Sequence, residues 1–181
     1  MRVFIGIELD YEVRDYLKAV QGVIKHTAYE GNFTDFDNFH ITIQFIGETL
    51  TSDLDHIEDI IETAFQNTTP FTIKIGDIGF FKRGRKKLVY VKVTEGSARL
   101  KHLHQTINQA LKENGVILKP QKFTPHITIA REVILKDYMN TSIPMPLLTE
   151  NVLISTITLF QSSRVLGKLT YTPLYRFELP R

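Results

Sequence analysis

The stretches Phe39-His40-Ile41-Thr42-Ile43 and Pro125-His126-Ile127-Thr128-Ile129 repeat one pattern, in which a histidine and a threonine alternate with apolar residues. In an extended strand, successive side chains point to opposite faces of the sheet. Each histidine therefore shares a face with its threonine, and the isoleucines occupy the other face. The repeat predicts two strands that present the same polar pair, one from each half of the chain.

The spacing of the repeat favours a paired catalytic site. The two histidines lie 86 positions apart in a chain of 181 residues, which is typical of an internally duplicated fold. Two histidines that face one cavity can act as general base and general acid, because the pKa of imidazole lies near neutral pH. The threonine hydroxyls can donate hydrogen bonds to phosphate oxygens. A single His-x-Thr is more often structural, but two matching copies indicate in-line attack at phosphorus without a metal ion.

Composition limits the alternatives. With 43% hydrophobic and 23% charged residues, we expect residues 1–181 to form one domain with two pseudo-symmetric lobes. The chain has no cysteine, which excludes disulfides, thiolate catalysis and cysteine-ligated metal sites. The N-terminal apolar run is too short for a signal peptide, and no run reaches about 18 apolar residues. We expect a cytoplasmic monomer that has no membrane partner.

Charge is distributed unevenly along the chain. Residues 1–69 carry 4 Lys or Arg and 13 Asp or Glu, a balance of −9, whereas residues 70–181 carry 18 and 7, a balance of +11. Within the basic part, residues 82–87 hold five cations in six positions. This asymmetry suggests an anionic partner for the basic half. Attraction between the lobes, or charge scattered over solvated surfaces, explains it equally well.

Hydrophobic periodicity predicts an α/β (α+β) chain with mixed or antiparallel strand pairing. Three amphipathic helices are predicted, the first from an N-cap at Asp10 to about His26, the second after a capping box at Ser52-x-x-Asp55 and the third from Ser97 to Glu113. Residues 29–38 are polar and predicted to be irregular. Besides the two motif strands, the predicted strands are Arg2–Leu9, Phe71–Phe81, Leu88–Thr94, Val152–Phe160 and Leu169–Leu179.

The chain resembles the two-histidine phosphoesterase superfamily, and within it the RNA 2′,3′-cyclic phosphodiesterases, also called LigT-like proteins or 2′-5′ RNA ligases. Four segments carry the resemblance in order, namely Arg2–Leu9, Asn38–Glu48, Phe123–Arg131 and Phe160–Arg164. The resemblance implies a bilobal, pseudo-twofold fold with helices outside and a central cleft that carries both motifs. It further implies opening of a terminal 2′,3′-cyclic phosphate on RNA to a 2′-phosphate, without cofactor. Some members also join or cleave 2′-5′ linkages in tRNA halves.

The resemblance assigns roles to the repeated residues. His40 and His126 would be the catalytic pair, and Thr42 and Thr128 would hold the phosphate. Which histidine is the acid and which is the base stays open at this point. As a working assignment, His126 activates water and His40 protonates the departing O3′.

Two positions depart from the family pattern. Gln44 stands where members commonly carry lysine, and strict alternation places it on the face of His40, so that this face loses one cation. Phosphate binding would then depend more on Arg131 and Arg164. Alternation, however, places Arg131 on the face opposite His126. Tyr90 stands where the family often has tryptophan, and either base stacking or core packing is compatible with it.

Further candidates for RNA contacts are Phe45 and Tyr90, which could stack on a base, and Arg83 and Arg85, which could bind the RNA backbone. Alternation places Phe45 on the apolar face with Ile41. A solvated hairpin tip is an equally good interpretation of the two arginines. Neighbouring histidines on a helix, at 102 and 104, point in different directions, and no metal site is predicted.

Two other functions stay open. The first is a phosphoesterase of the same superfamily that acts on small cyclic nucleotides or 2′-5′ linkages. The second is a catalytically idle module that binds tRNA. The intact His-x-Thr pairs argue against the second, because a binding module does not need four such groups in one cavity.

Overall fold

The computed structural model describes residues 1–136 and 151–181. The described helices are α1 (Tyr11–Thr27), α2 (Leu54–Phe65) and α3 (Ser97–Glu113). The described strands are β1 (Arg2–Glu8), β2 (Ala28–Phe33), β3 (His40–Glu48), β4 (Phe71–Arg83), β5 (Lys86–Glu95), β6 (His126–Leu135), β7 (Val152–Ile154), β8 (Thr156–Val165) and β9 (Lys168–Glu178). None of these helices is long and apolar enough to cross a lipid bilayer.

The strands form one sheet whose order is symmetric about its central pair. The order is β7-β4-β5-β6-β3-β1-β8-β9, with β2 added on β6, and every pairing within residues 1–136 and 151–181 is antiparallel. At the centre, Ile41 of β3 pairs with Ile127 of β6. These two residues occupy equivalent positions in the two motifs. The predicted α+β fold with antiparallel strands is therefore confirmed.

The sheet must curl on itself. Strand β7 lies at one end of the order and pairs with β4, whereas β8 lies near the other end and pairs with β1. Ser155 alone separates β7 from β8 along the chain. Two such strands can be neighbours in sequence only if the ends of the sheet approach each other. The single strand predicted over Val152–Phe160 was wrong, because the chain changes from one end of the sheet to the other at this residue.

The helices pack on the outer face of the curled sheet. Helix α1 begins as predicted, since the Asp10 carboxylate accepts a hydrogen bond of 2.9 Å from the Val13 backbone N–H. Helix α3 has the predicted bounds. The predicted capping box of α2 was wrong, because Ser52 lies in a 3₁₀ turn and its hydroxyl bonds to the Asp53 carboxylate instead of a backbone N–H.

Each half of the chain supplies the helix that covers the motif strand of the other half. Helix α3 contacts β3, and α1 contacts β6. The motif isoleucines beneath these helices are fully buried, at positions 41, 43, 127 and 129. The opposite, inner face of β3 and β6 is left for the polar residues of the motifs. Residues 29–38 were predicted to be irregular, but most of strand β2 lies within them. The pairing of β2 with β6 shifts register twice, so apolar and polar residues do not alternate along it.

Candidate active site

The structure brings the two His-x-Thr pairs together on the inner face of the sheet. Because Ile41 pairs with Ile127 in antiparallel strands, the neighbour of His40 across the strands is Thr128. In the same way, Thr42 lies beside His126. Side chains at directly opposite positions have Cβ atoms about 5 Å apart. The four groups therefore form a compact square of two histidines and two threonines.

Both histidines are held by the same type of hydrogen bond. The Nδ1 atom of His40 lies 2.7 Å from the Asn38 carbonyl oxygen, and the Nδ1 atom of His126 lies 2.6 Å from that of Thr124. A carbonyl can only accept, so Nδ1 carries the proton in both rings and Nε2 is the nitrogen that is free to accept a proton. In His40, Nε2 is 2.8 Å from the Thr42 hydroxyl, which donates to it while the ring is neutral.

The surroundings favour the neutral form of both rings. The pKa of His40 is lowered to about 4, mainly by burial and in smaller part by the charges of Arg131 and His126, against the opposing effect of the bond to Asn38. Burial also lowers the pKa of His126, again with a contribution from the charge of Arg131. At neutral pH both rings are therefore uncharged. An anion bound beside them would favour the imidazolium form.

A bulge in β3 reverses the alternation after the first motif. Two successive residues of β1 pair with Thr42 and Gln44, so that Ile43 is an extra residue on its strand. Gln44 is consequently fully buried, and its side chain accepts a hydrogen bond of 3.0 Å from Asn108 of α3. The next residue, Phe45, is 47% exposed. The predicted sides of Gln44 and Phe45 were both wrong, and Gln44 does not replace a cation on the inner face.

The second motif strand contains the same bulge. Two successive residues of β5 pair with Thr128 and Ala130, so that Ile129 is the extra residue. Ala130 is buried and Arg131 is exposed, which reverses the predicted side of Arg131. Arg131 lines the same cavity as His40 and Thr128, and its charge lowers the pKa of both histidines. Among the described residues, Arg131 forms no ion pair.

Side chains from the covering helices hold the two bulges. The carbonyl oxygen of Ile43 lies 2.8 Å from Nδ1 of His104 in α3. The carbonyl oxygen of Ile129 accepts a hydrogen bond of 3.1 Å from the buried amide of Gln21 in α1. Sequence reasoning found neither anchor, because the partners are far apart along the chain. His104 had been given no functional role.

A cavity of about 440 Å³ opens on this face. Its lining includes His40 and Thr128 on the sheet, five cations and two carboxylates, besides apolar and amide side chains. The cations are Arg83, Lys86, Lys87, Arg131 and Arg164, and the carboxylates are Asp35 and Glu132. Thr42 and His126 lie beside this cavity without lining it. Its wall is therefore rich in cations, which suits an anionic ligand.

The cations differ in how they are held. Lys86 forms an ion pair of 2.7 Å with Glu132, and Arg164 donates a hydrogen bond of 2.9 Å to the Gly167 carbonyl oxygen. The predicted turn at residues 82–87 is shorter than expected, because β4 and β5 extend through most of it and only Gly84 and Arg85 form the turn. Arg83 lines the cavity, whereas Arg85 is exposed at the hairpin tip and does not.

Aromatic rings flank His126. The Tyr90 ring lies 5.2 Å from the imidazole and stacks on Phe81 at 4.4 Å. Phe81 itself contacts His126 edge-on at 5.3 Å. Gly79 makes this stack possible, because a Cβ atom there would lie 2.3 Å from the Tyr90 ring. Tyr90 is therefore on the inner face, where Phe81, a residue the sequence reasoning missed, covers it.

His40 is enclosed more completely. The rings of Phe4 and Tyr171 lie 5.0 Å from its imidazole, and that of Phe160 lies 6.1 Å away. The side chain of Asn38 ties β9 to this site, because it donates to the Leu169 carbonyl at 2.8 Å and accepts from the Tyr171 N–H at 3.2 Å. Asn38 and Tyr171 were not among the predicted site residues.

Comparisons with known proteins identify the family of the chain and agree with its fold. Residues 16–164 match the family described as the 2′-5′ RNA ligase superfamily. A curated relative named RNA 2′,3′-cyclic phosphodiesterase, from Aeropyrum pernix, is 30% identical over 90% of this chain and 94% of its own length. A relative of the same name from Escherichia coli is 26% identical over 98% and 96%. A crystal structure of E. coli LigT complexed with 3′-AMP superposes with a TM-score of 0.84 at 26% identity, over 99% of this chain and 98% of that one.

Proposed function

Because the chain belongs to the 2′-5′ RNA ligase superfamily, we propose that it is an RNA 2′,3′-cyclic phosphodiesterase, which opens the terminal cyclic phosphate to a 2′-phosphate without a metal ion. The observation that carries the proposal is the square of two histidines and two threonines. In it, both rings hold the proton on Nδ1 and offer Nε2 for catalysis. The names of the curated relatives and the 3′-AMP complex of E. coli LigT support a nucleotide as ligand.

The reaction requires one neutral and one protonated histidine. In the working assignment, Nε2 of His126 takes a proton from the attacking water as the new P–O bond forms. Nε2 of His40 gives a proton to O3′ as the P–O3′ bond breaks, so that the phosphate stays on O2′. The negative charge of the bound phosphate raises the pKa of His40 from its low value in the free protein.

Protonation of His40 also changes what Thr42 can do. In the free protein the Thr42 hydroxyl donates to the neutral Nε2 of His40. When Nε2 is protonated it can no longer accept, and the hydroxyl becomes available to a phosphate oxygen. Thr128 and Arg131 complete the phosphate site, with Arg164 at its rim. Hydrogen bonds that involve a charged partner stabilise such a complex more than neutral ones do.

The test is an assay with an RNA that ends in a 2′,3′-cyclic phosphate, in excess chelator. The expected product is a 2′-phosphate, which resists a phosphatase specific for 3′-phosphates. His40→Ala and His126→Ala are each expected to lose about 10²- to 10⁴-fold in kcat/KM, the usual contribution of general acid–base catalysis. His102→Ala, on an outer helix, serves as the matched control. Full activity of either catalytic variant, or a strict metal requirement, would contradict the proposal.

A further inference from the structure

The turn between β8 and β9 exposes an aliphatic residue in an unfavourable conformation. Leu166 and Gly167 form a two-residue loop, since Val165 pairs with Lys168. Both loop residues have positive φ angles, 50° and 80°. This geometry belongs to type I′ turns, which favour Asn-Gly because a bulky residue is strained at positive φ. The Leu166 side chain is also fully exposed, at 102%. Backbone strain that persists in a folded protein is concentrated at functional sites, where the strained residue has a role.

The second hairpin at the cavity shows that the fold does not need such a residue. In the β4–β5 hairpin, Gly84 has the positive φ of 62° and Arg85 follows it. Glycine accepts this conformation without strain. The exposed side chains of that tip are charged, as expected for a solvated turn. A strained, exposed apolar residue at the turn is thus specific to the β8–β9 hairpin and is not required by the sheet.

The β8–β9 hairpin borders the proposed phosphate site. Arg164 and Leu169, on either side of the turn, both line the cavity. The hydrogen bond from Arg164 to the Gly167 carbonyl ties the guanidinium to the tip. From Ser155 to Phe177 the sequence contains three cations and no Asp or Glu. A polyanion can therefore approach this hairpin without repulsion from the hairpin's own side chains.

We propose that the β8–β9 tip, through Leu166 and the 52% exposed Val165, contacts the base of the nucleotide that precedes the terminal one. The proposal rests on the proposed function, which places the terminal nucleotide in the cavity. With about 440 Å³, the cavity is of the size of a small-molecule site, so the preceding nucleotides lie over its rim. Apolar contact with a base requires an open base face, so the partner is single-stranded RNA.

The decisive variant is Leu166→Asn, because it separates folding from RNA binding. Asn-Gly is the preferred type I′ pair, so thermal unfolding should move to higher temperature. Binding of a short single-stranded oligoribonucleotide with a 3′-phosphate, measured by fluorescence anisotropy, should weaken about tenfold, as expected for the loss of one partly buried leucine contact. Hydrolysis of a cyclic mononucleotide should not change. Ile117→Asn is the matched control, since Ile117 is 92% exposed and lines none of the described cavities.

Several outcomes would overturn the proposal. These are unchanged RNA binding by the Leu166→Asn variant, an equal loss for a blunt RNA duplex, and a parallel loss of mononucleotide hydrolysis. Loss of binding to phosphatidylserine vesicles with unchanged RNA binding would assign the tip to a membrane surface instead. If the native protein hydrolyses neither the cyclic mononucleotide nor an RNA that ends in a 2′,3′-cyclic phosphate, the proposed function fails. The anisotropy measurement requires no turnover and still decides the role of the tip.

Discussion

The two halves of the molecule share a framework and differ in what they place on it. In both, a histidine has Nδ1 bonded to the carbonyl two residues earlier, and a bulge follows the threonine by one residue. After the bulge, the side chain that turns to the inner face is Phe45 in the first half and Arg131 in the second. The shared framework therefore fixes which ring nitrogen carries the proton. The residue after the bulge determines whether that half contributes an apolar surface or a cation.

The surroundings of the two histidines also differ, with apolar rings in the first half and cations in the second. His40 lies among three aromatic rings and has the more strongly lowered pKa, about 4. His126 lies next to the basic β4–β5 hairpin and to Arg131. Under the proposed function, the second half would attract the anionic substrate and the first half would desolvate it. Two equivalent imidazoles can in this way receive different roles.

The largest expected effect distinguishes the roles of the two histidines. In a cyclic substrate with sulfur in place of O3′, the leaving thiolate needs no proton. The variant that lacks the general acid should then recover most of its loss of about 10²- to 10⁴-fold, whereas the variant that lacks the base should not. The working assignment predicts recovery for His40→Ala, measured as kcat/KM with both substrates. Recovery by His126→Ala instead would reverse the roles.

The next effect concerns the two residues that follow the bulges. Arg131→Met removes a charged hydrogen-bond donor and should lower kcat/KM by about 10- to 100-fold. Its charge lowers the pKa of both histidines, so its removal raises both values. The native optimum of kcat/KM should lie below pH 6.5, and the variant's optimum should move to higher pH. Phe45→Leu, the equivalent change in the first half, should shift nothing. An unchanged optimum in Arg131→Met would show that its charge does not act on the pair.

The sequence predicted the parts of this comparison that depend on local patterns. It located both His-x-Thr pairs and the bounds of α3, because their periods of two and 3.6 residues are visible along the chain. It misplaced Gln44, Phe45 and Arg131, because an extra residue in a strand leaves the composition unchanged while it reverses the faces. One feature of the sequence could have indicated that Arg131 lies on the other face. Strict alternation placed an arginine among core isoleucines, and arginine is almost never fully buried.

The bulges themselves were not predictable, because their anchors are distant in sequence. Gln21 reaches the Ile129 carbonyl across 108 positions, and His104 reaches that of Ile43 across 61. The rings around His40 were missed for the same reason, since Tyr171 is brought there by the side chain of Asn38. The site thus combines two local motifs with contacts that only the curled sheet creates.

A smaller effect follows from these anchors. Gln21→Met removes the side-chain donor of the Ile129 carbonyl, which keeps the backbone N–H of Thr34, and should lower the free energy of unfolding by about 0.5–1.5 kcal/mol. It should also weaken competitive inhibition by inorganic phosphate, because the bulge turns Arg131 inward. His104→Leu removes the equivalent donor in the first half, where Phe45 follows. We expect destabilisation there without a change in phosphate inhibition. Equal phosphate inhibition in both variants would disprove the link between the bulge and Arg131.

The smallest expected effect separates the two hairpins at the cavity by the salt dependence of kcat/KM. Each phosphate contact that is lost should reduce the slope of log(kcat/KM) against log[salt] by about 0.7 for single-stranded RNA. Arg85 is exposed at the β4–β5 tip outside the cavity, so Arg85→Gln should flatten the slope for RNA only. Arg83 lines the cavity, so Arg83→Gln should also slow hydrolysis of a cyclic mononucleotide.

Leu166→Asn carries no charge change and should leave the slope intact while RNA binding weakens. If all three variants flatten the slope equally, the β4–β5 hairpin does not contribute electrostatic contacts and the β8–β9 hairpin apolar ones. The difference between the two halves would then be confined to the residues of the cavity wall.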